Sequence, residues 1–500
     1  MAHHRVIRNI TSNYALVATS GLITLVLTPI LFRYLQPVNF AILAFAITAS
    51  TLLAILDLGM ASALIRFVSD LAARGQIAEL RRLVSTVFFL FLAVGVAASI
   101  LVATLSGLVA SFFHLQSASS GSAFLVISLV GSSVAFQLPS ASVRGLLEGL
   151  EDFHLANAAD IASQLARAFA TLLFVYGGLG LLPIAALFPA AALLRLAGLL
   201  FVTRWTSVPT WPSLGEANWA TLRRIRGFAS LTFIEDTATA LFSQSDTFLV
   251  AKLLPLSDLA VLVVARRFPW AVSRLAQQAL WVAYPIVSSA AARGDLAAMK
   301  KFMLISTRNL LSLALPIAGA LFVWAGVILR LWVGKEVLSG IPVFRAFLVF
   351  AVTASLQESP LTLLYGMGRI RFSAGLSVVT LAGAVGLGAL ACSRGGLPAL
   401  AVVYASIQGI VTPLLCSQAL RLADLEPAQW LRKAVVPPVL AEVPTVAWFL
   451  LSYRLLPHTA YGLAISTVPG ILLFFGLLQR LVSGSERQPW RTRIKKLFAE

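Results

Sequence analysis

Apolar residues run in windows of twenty or more, each closed by a short polar or basic stretch. A helix needs about twenty such residues to cross roughly 30 Å of hydrocarbon. Fourteen windows are legible: 12–34, 40–63, 84–112, 122–143, 155–177, 181–203, 228–251, 257–285, 302–325, 341–365, 372–392, 397–420, 434–453 and 460–481. The first has basic flanks, Arg5 and Arg8, in the manner of a signal peptide. Its apolar run is too long for one, and no small-residue cleavage site follows Pro29, so it reads as a retained helix. The pattern predicts an all-α polytopic membrane protein of about fourteen spans.

Composition agrees. Hydrophobic residues make up 59% of the 500 and charged residues 12%, half the share of a soluble domain, about 25%. A soluble core of this size could not hide so much apolar surface, so lipid is the solvent. The same figures exclude a disordered chain, a disulfide scaffold and a coiled coil. The net charge of +18 would suggest nucleic acid in a soluble protein. Here it reports cytoplasmic loops, and no nucleic-acid partner is expected. With the N-terminus inside, 25 of the 38 Lys and Arg fall in inside segments and 6 outside. That bias predicts both termini in the cytoplasm. The basic tail, 482–500, is expected to touch anionic lipid headgroups.

An internal repeat organises the spans. The second and third are joined by residues 72–82, Ala-Ala-Arg-Gly-Gln-Ile-Ala-Glu-Leu-Arg-Arg. The eighth and ninth are joined by 291–301, Ala-Ala-Arg-Gly-Asp-Leu-Ala-Ala-Met-Lys-Lys, at an offset of 219. A second echo pairs Gln137, Pro139 and Gly145 with Gln357, Pro360 and Gly366. Both copies begin on one membrane side, so the repeat is parallel, with its axis along the membrane normal. The expected organisation is an N-lobe at 1–203, a linker at 204–227, a C-lobe at 228–421, two further spans within 422–481, and the tail.

Candidate chemistry lies in charges where lipid is expected. A charged side chain at mid-bilayer costs roughly 2.5–3.5 kcal/mol on insertion scales. In the fifth span Asn157, Asp160, Gln164 and Arg167 form one helical stripe. Asp160 with Arg167 reads either as cavity lining or as an ion pair fixing helix packing. The seventh span carries Glu235, Asp236 and Asp246; Glu235 and Asp246, three turns apart, face the same way. The eighth carries Arg266, Arg267 and Arg274, with Arg267, Arg274, Gln278 and Trp281 on one face and a bend expected at Pro269. Asp57, Arg195, Arg308 and Glu358 lie nearer span ends and read as snorkelling or capping groups; Asp57 is also an ion-coupling candidate beside Glu235 and Asp246. Arg266, Arg267 and Arg274 predict a hydrated cationic cavity for an anionic, phosphorylated cargo, because a guanidinium fork suits phosphate oxygens. Trp211, Trp270, Trp281, Trp324 and Trp332 are either sugar-stacking platforms or interfacial anchors.

What is missing points the same way. No Gly-x-x-x-x-Gly-Lys-Ser/Thr or His-Glu-x-x-His occurs. Cys392 and Cys416 make no metal-ligand spacing, and the outer loops are short. A transporter without cofactor or metal is expected rather than an enzyme.

The order of short motifs carries a resemblance. Asn13-Tyr14 opens the first span, followed by Pro29, Phe32, Arg33, Leu35 and Phe40. Asp57-Leu58-Gly59-Met60 leads to Leu64-Ile65-Arg66; later come Gln244, Asp246-Thr247-Phe248 and Leu331-Trp332-Val333-Gly334. The chain resembles the O-antigen and exopolysaccharide flippases, the polysaccharide transporter branch of the multidrug/oligosaccharidyl-lipid/polysaccharide exporter superfamily. The resemblance implies two six-helix lobes around a cavity between the first, second, seventh and eighth spans. It implies a polyprenyl-diphosphate-linked oligosaccharide as cargo, alternating access coupled to a proton or sodium gradient, and other glycan-assembly proteins as partners. In such flippases basic residues on the first and eighth spans hold the diphosphate; here the eighth supplies three, and the first only Arg33. Two other readings remain: a multidrug exporter of the same fold with a cationic cargo, which the arginine-rich eighth span disfavours, and a membrane enzyme of glycan assembly, which the short outer loops disfavour.

Overall fold

A computed structural model describes residues 2–115, 122–206, 208, 210–218, 230–281 and 284–482. Among them the chain is helical with no strand. Much of the expected linker, including Arg223, Arg224 and Arg226, lies outside the described residues, as do all but residue 482 of the basic tail and the side chain of Trp281.

Among the described residues ten helices are long and apolar enough to cross a membrane, and the chain is an integral membrane protein. Two of the ten contain a non-helical residue. Ala2–Leu52 is broken at Gln36 (φ 64°, ψ 160°), directly before Pro37, where proline disfavours the α conformation. The Gln36 side chain donates to the Arg33 carbonyl at 3.0 Å, taking up a backbone acceptor that the break frees. Ile370–Leu422 is broken at Gly396 (φ 65°, ψ −156°), a conformation that needs glycine. Ser230–Leu253 carries Glu235, Asp236, Asp246 and Lys252 and is not among the ten. The eighth segment is interrupted at Arg266, between Leu256–Ala265 and Arg267–Trp281, and Tyr284–Ala292 is described after residues 282–283, which lie outside the described residues. The arrangement is consistent with fourteen crossings.

Packing divides the chain into two units. One comprises 1–264 with 370–400, the other 265–369 with 401–500. In the first, Leu64, Val68, Val84 and Val134 pack in one core where the second, third and fourth spans meet. Phe88, Leu147, Ala156 and Leu199 form another with the fifth and sixth. In the second unit Val287, Met303, Leu363, Ala419 and Trp430 make a core, and Trp324, Val327 and Phe449 make another.

The repeat returns as backbone geometry. Gly75 (φ 68°) ends the helix Met60–Ala73, and Gly294 (φ 67°) ends Tyr284–Ala292. Gly75 N–H donates to Ala72 O at 3.1 Å and Gln76 N–H to Leu71 O at 2.9 Å; Gly294 N–H donates to Ala291 O at 3.1 Å and Asp295 N–H to Ala290 O at 3.0 Å. The same pair of bonds recurs at the offset of 219, in the manner of a glycine-terminated helix end. The second echo needs a shift of register. Asp152 N–H donates to Leu147 O at 2.8 Å beside Glu151 (φ 62°), and Arg369 N–H to Leu364 O at 2.9 Å beside Gly368 (φ 67°). Gly366 therefore corresponds to Gly149, not Gly145. Val68 and Val287, themselves 219 apart, seat against those two glycines: a Cβ would stand 2.6 Å from Val68 Cγ1 at Gly149 and 2.9 Å from Val287 Cγ1 at Gly366.

Gly149→Ala places its methyl against Val68 and 2.9 Å from the Ile65 carbonyl. Overpacking of this kind costs about 1–3 kcal/mol, so Tm in detergent is expected to fall. Gly386→Ala meets nothing within 4 Å and is expected to leave Tm unchanged or slightly raised. Equal behaviour of the two variants would refute the close contact.

Candidate functional site

The polar stripe of the fifth span, Phe153–Tyr176, faces the first helix. Asn157 is fully buried and donates to Asn13 Oδ1 at 2.6 Å and to Ser12 Oγ at 3.0 Å. Two turns on, Ser20 donates to Gln164 Oε1 at 2.7 Å. Asp160, 6% exposed, is held by two guanidiniums. Arg195 of Leu181–Val202 donates through Nε to Oδ1 at 2.6 Å and through Nη2 to Oδ2 at 3.3 Å. Arg144 of Val134–Gly149 donates through Nη1 to Oδ2. Arg144 also reaches Glu148 Oε1 at 2.7 Å and Asn157 Oδ1 at 3.1 Å.

This changes three expectations. Asp160 does not pair with Arg167; its partners come from the fourth and sixth spans, and the group ties four helices together. Arg195 is part of this group rather than a snorkelling side chain. Arg144 lies inside a helix, because the fourth span continues past its apolar window to Gly149. Two arginines balance Asp160 and Glu148, so no net charge is left over. Arg167 stands apart, its guanidinium 4.8 Å from the centre of the Phe188 ring, a cation–π contact.

The second span does not run through Asp57 as a regular helix. A 3-10 turn, Leu53–Asp57, is followed by left-handed Leu58 (φ 53°) and Gly59 (φ 72°) before Met60–Ala73 begins. Asp57 Oδ1 accepts from Gly59 N–H at 2.8 Å, so the carboxylate stabilises the break. This 3-10 turn packs against Ser230–Leu253, and the charges of Asp57 and Asp236 interact. Glu235 and Asp246 are buried, 4% and 3% exposed. Asp246 Oδ1 accepts from Thr247 N–H at 2.6 Å and from its hydroxyl at 3.2 Å.

The eighth span breaks at Arg266, not at Pro269 itself. The proline lacks the N–H that would pair with the Ala265 carbonyl four residues back, and its ring crowds that carbonyl. The helix resumes as Arg267–Trp281, with Trp270 N–H donating to Arg266 O at 2.9 Å. Arg267, Arg274 and Gln278 share the stripe that the spacing predicts. Arg267 is half-buried, its Nε without a hydrogen-bond partner, and Arg266 adjoins it as a second positive charge. Arg274 is exposed, its guanidinium 5.2 Å from the centre of the Trp270 ring. Gln278 is half-buried. Among the described residues neither Arg267 nor Arg274 meets a carboxylate. Glu358, the carboxylate brought to this helix from Ile341–Gly366, is taken up by a hydrogen bond from Gln277.

The tryptophans divide. Trp324 is fully buried, donates to Ser466 Oγ at 3.0 Å and packs on Tyr453, so it is neither platform nor anchor. Trp332 stacks edge-on with Phe268 at 4.8 Å. Trp270 and Trp211 each lie under an arginine, Arg274 and Arg204. Among the described residues no group of three His, Cys, Asp or Glu side chains stands ready to hold a metal. The sequence reading missed Arg144 and Glu148 as partners of the fifth span. The four-residue spacing of Arg144 and Glu148 was a usable signal for that pair; their meeting with Asp160 was not.

Removing one partner of a buried ion pair strands the others, at about 3–5 kcal/mol. Asp160→Asn is therefore expected to lower Tm strongly in detergent, and Arg167→Ala to lower it little. Equal losses would show that Arg167 shares the Asp160 charge after all.

Residues 30–342 match the family described as "Polysaccharide biosynthesis protein". No curated protein matches the sequence. In fold the chain is similar to the lipid II flippase MurJ in an inward closed conformation: TM-score 0.73, 14% identity, 96% of this chain and 99% of that chain covered. It is similar to an inward-facing multidrug resistance MATE transporter of the MOP superfamily, TM-score 0.62, 16% identity, 84% and 95% covered. The MATE multidrug transporter DinF-BH, in a ligand complex, gives a TM-score of 0.64 at 13% identity, with 84% and 95% covered. At these identities the structures speak for the fold. The family match covers more than half of the residues and agrees with the order of motifs along the chain, which therefore belongs to the polysaccharide biosynthesis protein family.

Proposed function

We propose that this protein is a flippase that carries a polyprenyl-diphosphate-linked oligosaccharide from the inner to the outer leaflet of a bacterial inner membrane. The observation that carries the reading is the stripe of Arg267 and Arg274, two guanidiniums with no carboxylate partner among the described residues. A phosphorylated sugar headgroup crossing hydrocarbon unaided would cost tens of kcal/mol. A helix that offers unpaired guanidiniums supplies the missing counter-charge in a bidentate geometry. The family is one of polysaccharide biosynthesis, and one similar structure is named a lipid II flippase; both suit this cargo class.

Translocation then needs two states of nearly equal free energy, each opening the arginine stripe to one side. Asp57, Glu235 and Asp246 are the coupling-ion candidates, with a proton or sodium as driver. Arg266 and Gln278 complete the cargo stripe. Asp160, expected to line the cavity, instead serves helix packing in this reading, and Arg167 is left as a secondary contact. No bond is made or broken. In this reading both termini lie in the cytoplasm, and proteins that build and polymerise the oligosaccharide are the natural partners.

Cells lacking the chain are expected to accumulate the lipid-linked oligosaccharide on the inner leaflet. A hydrogen bond to a charged group contributes about 1.5–3 kcal/mol, so Arg267→Ala and Arg274→Ala are each expected to weaken transport roughly ten- to a hundredfold. The double variant should fail to rescue at normal protein level. Full rescue by the double variant would refute the cargo stripe. Export of cationic drugs, with the oligosaccharide unaffected, would turn the reading to a multidrug exporter.

A further inference from the structure

Glu442 lies nearly two turns into the helix Val436–Leu455, the thirteenth span. It is 8% exposed, and both carboxyl oxygens are buried without a hydrogen-bond partner. The side chain points at the ninth span, Leu296–Val323. A Cβ built on Gly319 would stand 2.1 Å from Glu442 Oε1 and 3.3 Å from a methyl of Val446. The glycine thus leaves a niche that the carboxyl fills.

Among the described residues no counter-charge faces it. Among the described residues three elements pack closely against this helix: the ninth span, the fourteenth, Ala460–Leu481, and the turn Leu431–Val435. On the ninth, Arg308 is eleven residues from Gly319, about 16 Å along a helix, and Lys300 and Lys301 are farther still. On the turn, Arg432 and Lys433 are ten and nine residues from Glu442, about 14–15 Å. The fourteenth span has Tyr461 and Arg480 at its two ends. On the helix itself Tyr453 and Arg454 are three turns away.

We propose that Glu442 is a proton-binding site: the neutral acid fills the Gly319 niche and closes the joint between the ninth and thirteenth spans, and the joint loosens when the proton leaves. An ionised carboxylate here would be desolvated with nothing in return, which costs several kcal/mol or more. The neutral acid is a small polar group with a single donor. A hard metal cation would want six to eight oxygen ligands. The niche offers glycine and a valine methyl, and the neighbouring Thr445 hydroxyl already donates to Ala441 O at 2.9 Å. The inference is independent of the cargo reading.

Linkage sets the test. Above the ordinary glutamate range, about pH 4.3, the unfolded chain has released this proton and the folded chain holds it. Stability is then fully present at low pH and falls as pH rises. Thermal unfolding of the full chain in detergent, from about pH 6 to 9, compares the wild type with Glu442→Gln, which mimics the neutral acid. The unfolding constant of the wild type is expected to rise about tenfold per pH unit relative to the variant. Infrared spectra at neutral pH should show a protonated-carboxyl band that Glu442→Gln lacks. Parallel pH profiles with no difference in that band would overturn the proposal. So would a wild-type Tm that rises with sodium or potassium at fixed pH while the variant's does not, since the ligand would then be a metal cation. If Glu442→Gln does not accumulate, Glu442→Met, similar in volume and unable to ionise, carries the same comparison.

Discussion

A charge taken out of water must find a counter-charge, a hydrogen-bond donor, water, a ligand or a proton. That constraint governs every ionisable group in these spans. Asp160 takes the first course, with Arg195 and Arg144 closing on it and Glu148 and Asn157 completing the set. Asp57 takes the second, accepting from the Gly59 N–H that its own helix break sets free. Arg267, Arg274 and Glu442 take neither among the described residues. Groups of the first two kinds stabilise the fold as it stands. In the readings proposed above, groups of the last kind are completed by something that comes and goes, a cargo for the arginines and a proton for Glu442.

The two copies of the repeat preserve turns better than they preserve residues. Gln76 and Asp295 differ, as do Glu151 and Gly368, yet each pair holds matching hydrogen bonds and left-handed residues. Helix ends leave carbonyls unpaired, and a left-handed residue past the last turn is the cheapest way to satisfy them. The valine–glycine seats, Val68 on Gly149 and Val287 on Gly366, lie at the same relative place. A parallel duplication that keeps its turns and close contacts keeps its helix directions, while lipid-facing positions drift among apolar residues with no penalty.

Fold class and span order were legible because lipid enforces a single rule, about twenty apolar residues per crossing. The rule is blind to the ends. The second span breaks at Leu58 and Gly59 and continues to Ala73, and the fourth continues to Gly149. Those last turns are amphipathic, so hydropathy assigns them to loops. Arg144 lies just past the apolar window 122–143 for that reason, although the helix runs on through it and pairs it with Asp160. Arg267 and Arg274 were legible because their abundance on one helix face was itself the anomaly. Glu442 was not, since one acid in an apolar run reads as tolerated until Gly319 is seen across from it. Pairing depends on which helices pack together, and spacing within one helix carries no such information.

The fold alone leaves the cargo open, because a lipid II flippase and multidrug transporters share it with this chain. Function on a shared scaffold resides in the side chains of the site, and in the proposed reading the deciding feature is the sign of charge left over. In the first unit Arg144 and Arg195 are spent on Asp160 and Glu148, so four charges leave no net field. On the helix Arg267–Trp281 the Glu358 carboxylate brought close is engaged by Gln277, and Arg267 and Arg274 meet no carboxylate among the described residues. A cationic drug gains nothing from that stripe and is repelled by it. A diphosphate gains charge-assisted hydrogen bonds whose strength grows as water leaves. Pro269 adds the last element: by breaking the helix at Arg266 it unpairs backbone beside the same arginines, so the cationic stripe begins at the point where the span bends most readily.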